Sequence, residues 1–336
     1  MLAFPSGFSE RKVSDFITRW KKEIEKPAQE AVLVIDKASQ RVTTFVPPTD
    51  GITLQSDAAV KSIFSGLAQL ETSDQKSVTL PYSVVKTPPK QELSQTNSLG
   101  IIQRIGFGES RYQHSIPGRI HNVKLTAEKI NNTLVPAGAE FSFNKTLGDV
   151  SVATGFDQAY IIKDGRTQLG DGGGVCQVST TLFRALLDAG LPITKRHAHS
   201  YRVSYYELNS KPGVDATVYG GDVDLRFIND TGFPILIHTE TDSENLYMKV
   251  ELFGTSDGRS AEIVDHKVYD ITPAPPPLYP LDPSLPHGKV KQIDFAAAGA
   301  KASFKTIVKD KTGAVLRQDT YFSNYRPWQA IYLRGP

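Results

Sequence analysis

The sequence predicts an α+β protein of several units, and three observations carry that expectation. At 336 residues the chain is longer than one typical domain. Apolar residues recur at helical spacing in a few segments and alternate at strand spacing in many more. A hydrophobic content of 39% beside 22% charged residues suffices for buried cores and is ordinary for a globular chain.

The charge balance argues against one function class. Thirty-eight basic residues are offset by 36 acidic ones, leaving +2, without a basic stripe interleaved with aromatics. No nucleic-acid partner is expected. No run of about 18 apolar residues occurs, so no helix is expected to span a bilayer. The opening MLAFPSGFSE lacks the charged start and long apolar run of a signal peptide. Any export signal or membrane anchor is therefore expected outside this chain. A single cysteine allows no internal disulfide.

The first unit is expected over residues 1–92. SERKVSDFITRWKKEIEK reads as an amphipathic helix capped by Ser9, with Val13, Phe16, Ile17, Trp20 and Ile24 on one face. AVLVID and KASQRVTTFVPP follow as a hairpin. SDAAVKSIFSGLAQLE reads as a second helix capped by Ser56, and SVTLPYSVVKTPPK as a closing strand. The polar QELSQTNSLG is a linker. Phe4 carries no readable signal.

The second unit is expected over residues 99–270. IIQRIGFGESRY reads as a strand and IHNVKLTAEKINNTLV as a helix, with a turn at VPAGAEFSFN. Residues 156–169 suggest a hairpin, and a helix follows the cysteine. Strands are then expected at HSYRVSYYEL, DATVYG, VDLRFIND, FPILIHTETD and LYMKVELFG. Over residues 271–336 the Pro-rich TPAPPPLYPLDPSLP is a semi-rigid spacer or an edge segment. KASFKTIVKD and AVLRQDTYFSNY form a β-hairpin around Lys311, Thr312 and Gly313.

The chemistry concentrates in GDGGGVCQVSTTLFRALLDAG, residues 170–190. Val175, Val178, Leu182, Leu186 and Leu187 recur at helical spacing, which puts Cys176 in a first helical turn. Unpaired N–H groups and the positive end of the macrodipole there favour a thiolate. Gly172, Gly173 and Gly174 let the backbone approach something closely and leave the sulfur uncovered. N–H groups at Gly173 and Gly174, with the Gln177 side chain, are candidates for holding an oxyanion. The plainer reading is a flexible turn with a buried, inert cysteine. A phosphate loop would need a Lys-Ser/Thr pair after the glycines, and none follows.

A nucleophilic thiol needs a base and a group to orient it. His199 and Asp215, expected at the facing starts of neighbouring strands, are the candidates, with His197 as the alternative base. Cys176, His197 and His199 are also a set that zinc could use, although neither a metal nor another cofactor is favoured. Asp171 reads as a helix-start charge, and Asp224 and Glu207 as alternative orienting carboxylates. Arg119, His121 and Asn122 are expected to cap a helix, with substrate contact the lesser reading. Ser142 and Asn144 fit a cleft wall or a turn equally well. Tyr201, Tyr205 and Tyr206 fit packing better than sugar stacking, and Trp328 and Tyr332 carry no signal.

GVCQVSTTLFRALLDAGLPITKR resembles the cysteine helix of transglutaminase-like and papain-like thiol enzymes, including the turn at Gly190, Leu191 and Pro192. More closely, the chain is identified as a member of the VanW-like family. The motifs are PAGAEFSFNKTLG (136–148), GDGGGVCQVSTTLFRALLDAGL (170–191), RHAHSYRVSYYE (196–207) and DATVYGGDVDLRFIN (215–229). The first unit resembles the peptidoglycan-binding domain often found ahead of this one, and the tail resembles a G5-like extension. The resemblances imply a central transglutaminase-like α+β fold and an extracytoplasmic, cell-surface or cell-wall setting. They supply no reaction. The expected function is a wall-associated thiol enzyme, hydrolysing or transferring amides of peptidoglycan peptides through Cys176, His199 and Asp215. The alternative is a non-catalytic peptidoglycan-binding or surface scaffold.

Overall fold

A computed structural model describes residues 9–36, 41–89, 99–163 and 166–336. Phe4 and most of the expected linker lie outside the described residues. The chain is mixed α+β and divides into two compact units, residues 1–34 with 44–97 and residues 35–43 with 98–336.

In the first unit α1 (Glu10–Ile24) starts at Ser9, whose hydroxyl accepts from the Lys12 N–H at 3.4 Å. β1 (Val32–Asp36) pairs with β2 (Arg41–Val46), and β3 (Gly51–Leu54) pairs antiparallel with β4 (Val84–Thr87). Between β3 and β4 lies α2 (Ser56–Glu71). Ser56 is its first helical residue rather than its cap. Gln55 stands at the cap without a side-chain bond, its carbonyl accepting from Ala59 N–H at 2.9 Å. The expected closing strand shrinks to β4. Ile17, Leu54 and Ala59 form the buried cluster, with Trp20 and Ile63 packed on it.

The second unit is built on a four-stranded antiparallel sheet. Its strands are β5 (Gln103–Arg111), β6 (Thr133–Val135), β12 (Ile235–Asp242) and β13 (Tyr247–Gly254), in the order β5-β13-β12-β6. Between β5 and β6 runs α3 (Pro117–Ile130), with its proline at the helix start, where a missing N–H costs nothing. β7 (Glu140–Ser142), the short α4 (Phe143–Leu147), and the hairpin β8 (Gln158–Lys163) with β9 (Arg166–Asp171) follow. The cysteine helix is α5 (Val175–Asp188), within a residue or two of the expected bounds. It lies against β5 because Gly106 and Gly108 carry no side chain. A Cβ at Gly108 would come within 2.3 Å of the Thr181 carbonyl, and one at Gly106 within 2.6 Å of Ala185 O. Val178, Leu182, Phe183 and Leu186 are fully buried, facing Ile235, Ile237, Val250 and Leu252 in one core.

Beyond α5 come β10 (Ile193–Lys195) and β11 (Arg226–Ile228), forming the small sheet β10-β11-β7. The strands expected at HSYRVSYYEL and DATVYG are absent as such. One isolated bridge joins His197 to Thr217, and residues 204–207 form a 3-10 turn. The physical reason is visible in the burial: His199, Val203 and Tyr206 point inward at spacings of four and three, which is turn-like and not alternating.

The tail is a three-stranded sheet, β14 (Ser260–Thr272), β16 (Gly299–Lys309) and β17 (Val315–Tyr325), in the order β14-β16-β17. β14 runs through residue 270, where a boundary was expected. It is bulged at Asp265 and Asp270, both with positive φ. β15 (Val290–Asp294) pairs with β18 (Ile331–Arg334), and Leu278 and Leu281 of the Pro-rich stretch bridge to β18 in parallel. This stretch is an edge segment of its own unit.

Candidate active site

The glycine run shapes the entry to α5 by packing against its own chain. Gly172 and Gly174 have φ of +78° and +122°, conformations that side chains oppose. A Cβ on Gly173 would meet the Tyr160 carbonyl at 2.6 Å, and one on Gly174 the Arg119 carbonyl at 2.9 Å. Asn122 of α3 holds the run in place. Its amide N–H donates to Gly173 O at 3.0 Å and Asp157 O at 2.9 Å, and its Oδ1 accepts from Asp157 N–H at 2.8 Å. What the glycines approach is therefore β8 and α3. Asn122 and His121, which bonds Gly155 O at 2.8 Å, lie inside α3 and do not cap it.

Cys176 is the second residue of α5 and half-buried. Its Sγ lies 3.5 Å from Thr217 Oγ1, 3.3 Å from Val218 O and 3.5 Å from Val218 N. The thiol and the His199 imidazole also influence each other's protonation. His199 Nδ1 lies 2.6 Å from Asp215 Oδ2, and the His199 N–H donates to the same oxygen at 2.9 Å. These two bonds fix the orientation of the His199 ring against Asp215.

The environment tunes each group. Burial pushes the Cys176 thiol up, but the hydrogen bond and charge of His199, with Thr217 and Val218, outweigh it and leave the thiol below its ordinary value. Burial likewise opposes a charged His199, yet its bonds to Asp215 and Cys176 raise it to about 9. Burial would raise Asp215, but His199, Arg196 and Tyr325 hold it well below the carboxylate range. The arrangement shifts the thiol towards its anionic form and the imidazole towards its charged form.

Asp215 is held from three directions. Tyr325 of β17 donates its hydroxyl to Oδ1, Arg196 Nη2 reaches Oδ1 at 3.3 Å, and His199 takes Oδ2. Arg196 is itself clamped by Asp215 O at 2.7 Å, Gly213 O at 2.7 Å, Phe322 O at 3.0 Å and Ser323 Oγ at 3.0 Å. A cavity of about 10 Å³ behind Asp215, lined by Val203, Tyr206, Val214 and Tyr325, has room for about one water. The tail strand therefore completes the site. No sequence signal pointed to Tyr325, because a partner 110 positions away leaves no local pattern; Arg196 opens the RHAHSYRVSYYE motif, but nothing there marks it as a partner of Asp215.

Other expectations change. Gln177 cannot offer its side chain to an oxyanion: it is fully buried, accepts from Arg119 at 2.9 Å and donates to Ser110 Oγ at 2.6 Å and Arg111 O at 3.2 Å. Its own N–H donates to Gly174 O at 2.9 Å. His197 is exposed, and what it contributes is a backbone carbonyl accepting from Thr217 at 2.8 Å. Asp224 serves the frame, accepting from Ser142 Oγ at 2.7 Å and from the N–H groups of Asn144 and Leu225 at 2.9 Å each. Ser142 and Asn144 accordingly build the turn into α4. Glu207 is bound bidentately by Arg202 at 2.9 and 2.6 Å. Asp171 ends β9, half-exposed. Tyr201 stacks on Trp328 at 4.4 Å and Tyr332 on Tyr279 at 5.3 Å, while Tyr205 packs edge-on against Tyr206 at 4.8 Å.

The zinc set of Cys176, His197 and His199 is not gathered. Among the described residues the group close enough to share an ion is His238, Glu240 and Glu251. Lys249 sits 3.1 Å from Glu240 and 3.0 Å from Glu251, and Arg104 2.7 Å from Glu251, so those carboxylates already hold cations.

Comparison with known proteins adds the family. Residues 118–251 match the family model described as VanW like protein. An uncharacterized protein, YoaR of Bacillus subtilis, is 41% identical over 138 residues, which are 41% of this chain and 44% of that protein. Vancomycin B-type resistance protein VanW of Enterococcus faecalis is 30% identical over 189 residues, 56% of this chain and 63% of that one. The chain thus spans less than two thirds of either relative. A solved G5 structure, HP0197-G5, aligns with 23% of the chain at 20% identity and a TM-score of 0.12, too low to argue a shared fold.

Proposed function

With residues 118–251 belonging to the VanW-like family, we propose that this domain is a thiol amidase or acyltransferase of the bacterial cell wall. One observation supports the reading: His199 is held at 2.6 Å by Asp215, and its charge lowers the thiol of Cys176 at a helix start. In this reading the Cys176 thiolate attacks an amide carbonyl and the C–N bond breaks. His199 gives its proton to the leaving amine, and Asp215 keeps the ring oriented. The N–H of Cys176, in the first helical turn, and that of Gly174 are the donors proposed for the oxyanion, with Gly173 shaping the loop. The thioester then passes its acyl group to water or to an amine.

The setting is proposed from the relatives. One carries vancomycin resistance in its name, which makes a peptidoglycan stem peptide the first substrate to try, with the protein outside the cytoplasm. The first unit would then hold the wall, as its resemblance implies. No described helix is long and apolar enough to cross a membrane.

The test is incubation of the full chain with defined muropeptides, read by mass spectrometry. Loss of a residue, or joining of two peptides, that disappears in Cys176→Ala is the expected result. Unchanged masses together with an iodoacetamide rate no faster than that of a free cysteine would leave the scaffold reading in its place.

A further inference from the structure

A second buried charge packs against the turn that opens the cysteine helix, where a Cβ on Gly174 would meet Arg119 Cγ at 3.3 Å. Arg119 of α3 is 9% exposed and bonds neutral groups: Nη1 donates to Ser115 Oγ at 2.6 Å and Nη2 to Gln177 Oε1 at 2.9 Å. Its guanidinium lies over the Tyr205 ring at 4.5 Å. No carboxylate pairs with it among the described residues. Guanidinium groups stay protonated in proteins, and buried charges are ordinarily paired.

Arg184, the other buried arginine of this core, shows the contrast. Its donors are spread over Val214 O, Glu109 O, Asn209 Oδ1 and Tyr206 O at 2.6–3.3 Å. That is a guanidinium saturated by fixed oxygens, suited to a structural post. Arg119 uses fewer of its five donors. A continuous aromatic wall leads from it to the site: Arg119 over Tyr205, Tyr205 against Tyr206 at 4.8 Å, and Tyr206 against His199 at 5.0 Å. The charge of Arg119 is also felt by Cys176. With the thiol ionised, the linked groups comprise three cations (Arg119, Arg196 and His199) and two anions, Cys176 and Asp215. Acylation would neutralise the sulfur as His199 surrenders its proton, so one positive charge remains uncompensated throughout.

We propose that Arg119 is a carboxylate-binding residue, and that the acyl substrate of Cys176 carries a free carboxylate close to the carbonyl attacked. This rests on the thiol reading above and names its substrate class. A planar carboxylate matches the free edge of a guanidinium in two parallel hydrogen bonds, worth more in a half-buried site than at a surface. A neutral amide in the same place would leave the buried cation unpaired, which is the basis of the discrimination.

The test compares alkylation of Cys176 in the full chain by iodoacetate and by iodoacetamide. The expected result is a preference for iodoacetate of about tenfold, falling at least fivefold in Arg119→Gln while the iodoacetamide rate stays within about threefold. A preference that survives Arg119→Gln belongs to His199 and overturns the proposal, as does no preference. A slow iodoacetamide rate in the wild type would instead overturn the thiol reading. Should Arg119→Gln fail to fold, the wild type still decides. N-acetyl-alanine should protect Cys176 from iodoacetamide at concentrations where N-acetyl-alaninamide does not, and equal protection by the two overturns the proposal.

Discussion

Asp215 and Asp224 are both buried carboxylates following the cysteine helix, and both are held below their ordinary range. Asp224 meets groups that never change: the Ser142 hydroxyl, two backbone N–H groups and Arg226 at 2.7 Å. Asp215 meets the same kinds of donor in Arg196 and Tyr325, but also an imidazole whose charge acts on a thiol. Burial and a lowered value are therefore shared by a structural post and a site residue. What separates them is whether one partner can carry a proton onward.

The largest expected effect tests the structural side of that contrast. Asp224→Ala strips the acceptor from Ser142, Asn144 and Leu225 and should cost about 3 kcal/mol in urea unfolding. Whatever folded fraction remains should keep its fast thiol. A folded variant with a slow thiol would erase the distinction. His199→Ala should show the reverse: modest loss of stability, but a fall of about 100-fold in the iodoacetamide rate at pH 6.5. An unperturbed thiol near pH 8.5 is only about 1% ionised there.

Tyr325→Phe removes one hydrogen bond to a buried carboxylate and should cost about 1.5 kcal/mol. It should also reduce alkylation a few-fold, because Asp215 then holds the ring less firmly. A change in stability alone would make β17 a mere support.

The smallest expected effects are read from pH. Asp215 and Asp224 have depressed folded values, so their contribution is complete above about pH 4 and is lost as pH falls through those values. Asp215→Asn should flatten that acid limb of the stability curve. In the wild type the alkylation rate should rise on the acid side of a free cysteine's curve and level off earlier, because His199, Thr217 and Val218 lower the thiol. A rate rising steadily to pH 9 would mean an ordinary thiol.

Much of the protein was legible in order. α1, α3, α5 and the hairpin of β16 with β17 follow from apolar spacing, caps and turns, because those signals are local. His199 and Asp215 were legible as types at a plausible separation, although the strand expected to carry them is a loop with a single bridge. There, inward residues at spacings of three and four resemble a strand only when aromatic and β-branched residues are counted without regard to direction.

The sequence by itself determined the cysteine at a helix start, since glycine freedom and helical periodicity act within a few residues. Only the tertiary structure decided what meets it. Arg119 meets Gln177 because α3 packs under the glycine run, Gln177 turns into β5, and Tyr325 arrives from the tail. Each of those contacts joins segments far apart along the chain, where the identity of a partner is set by which surfaces share a core and by no pattern near either residue.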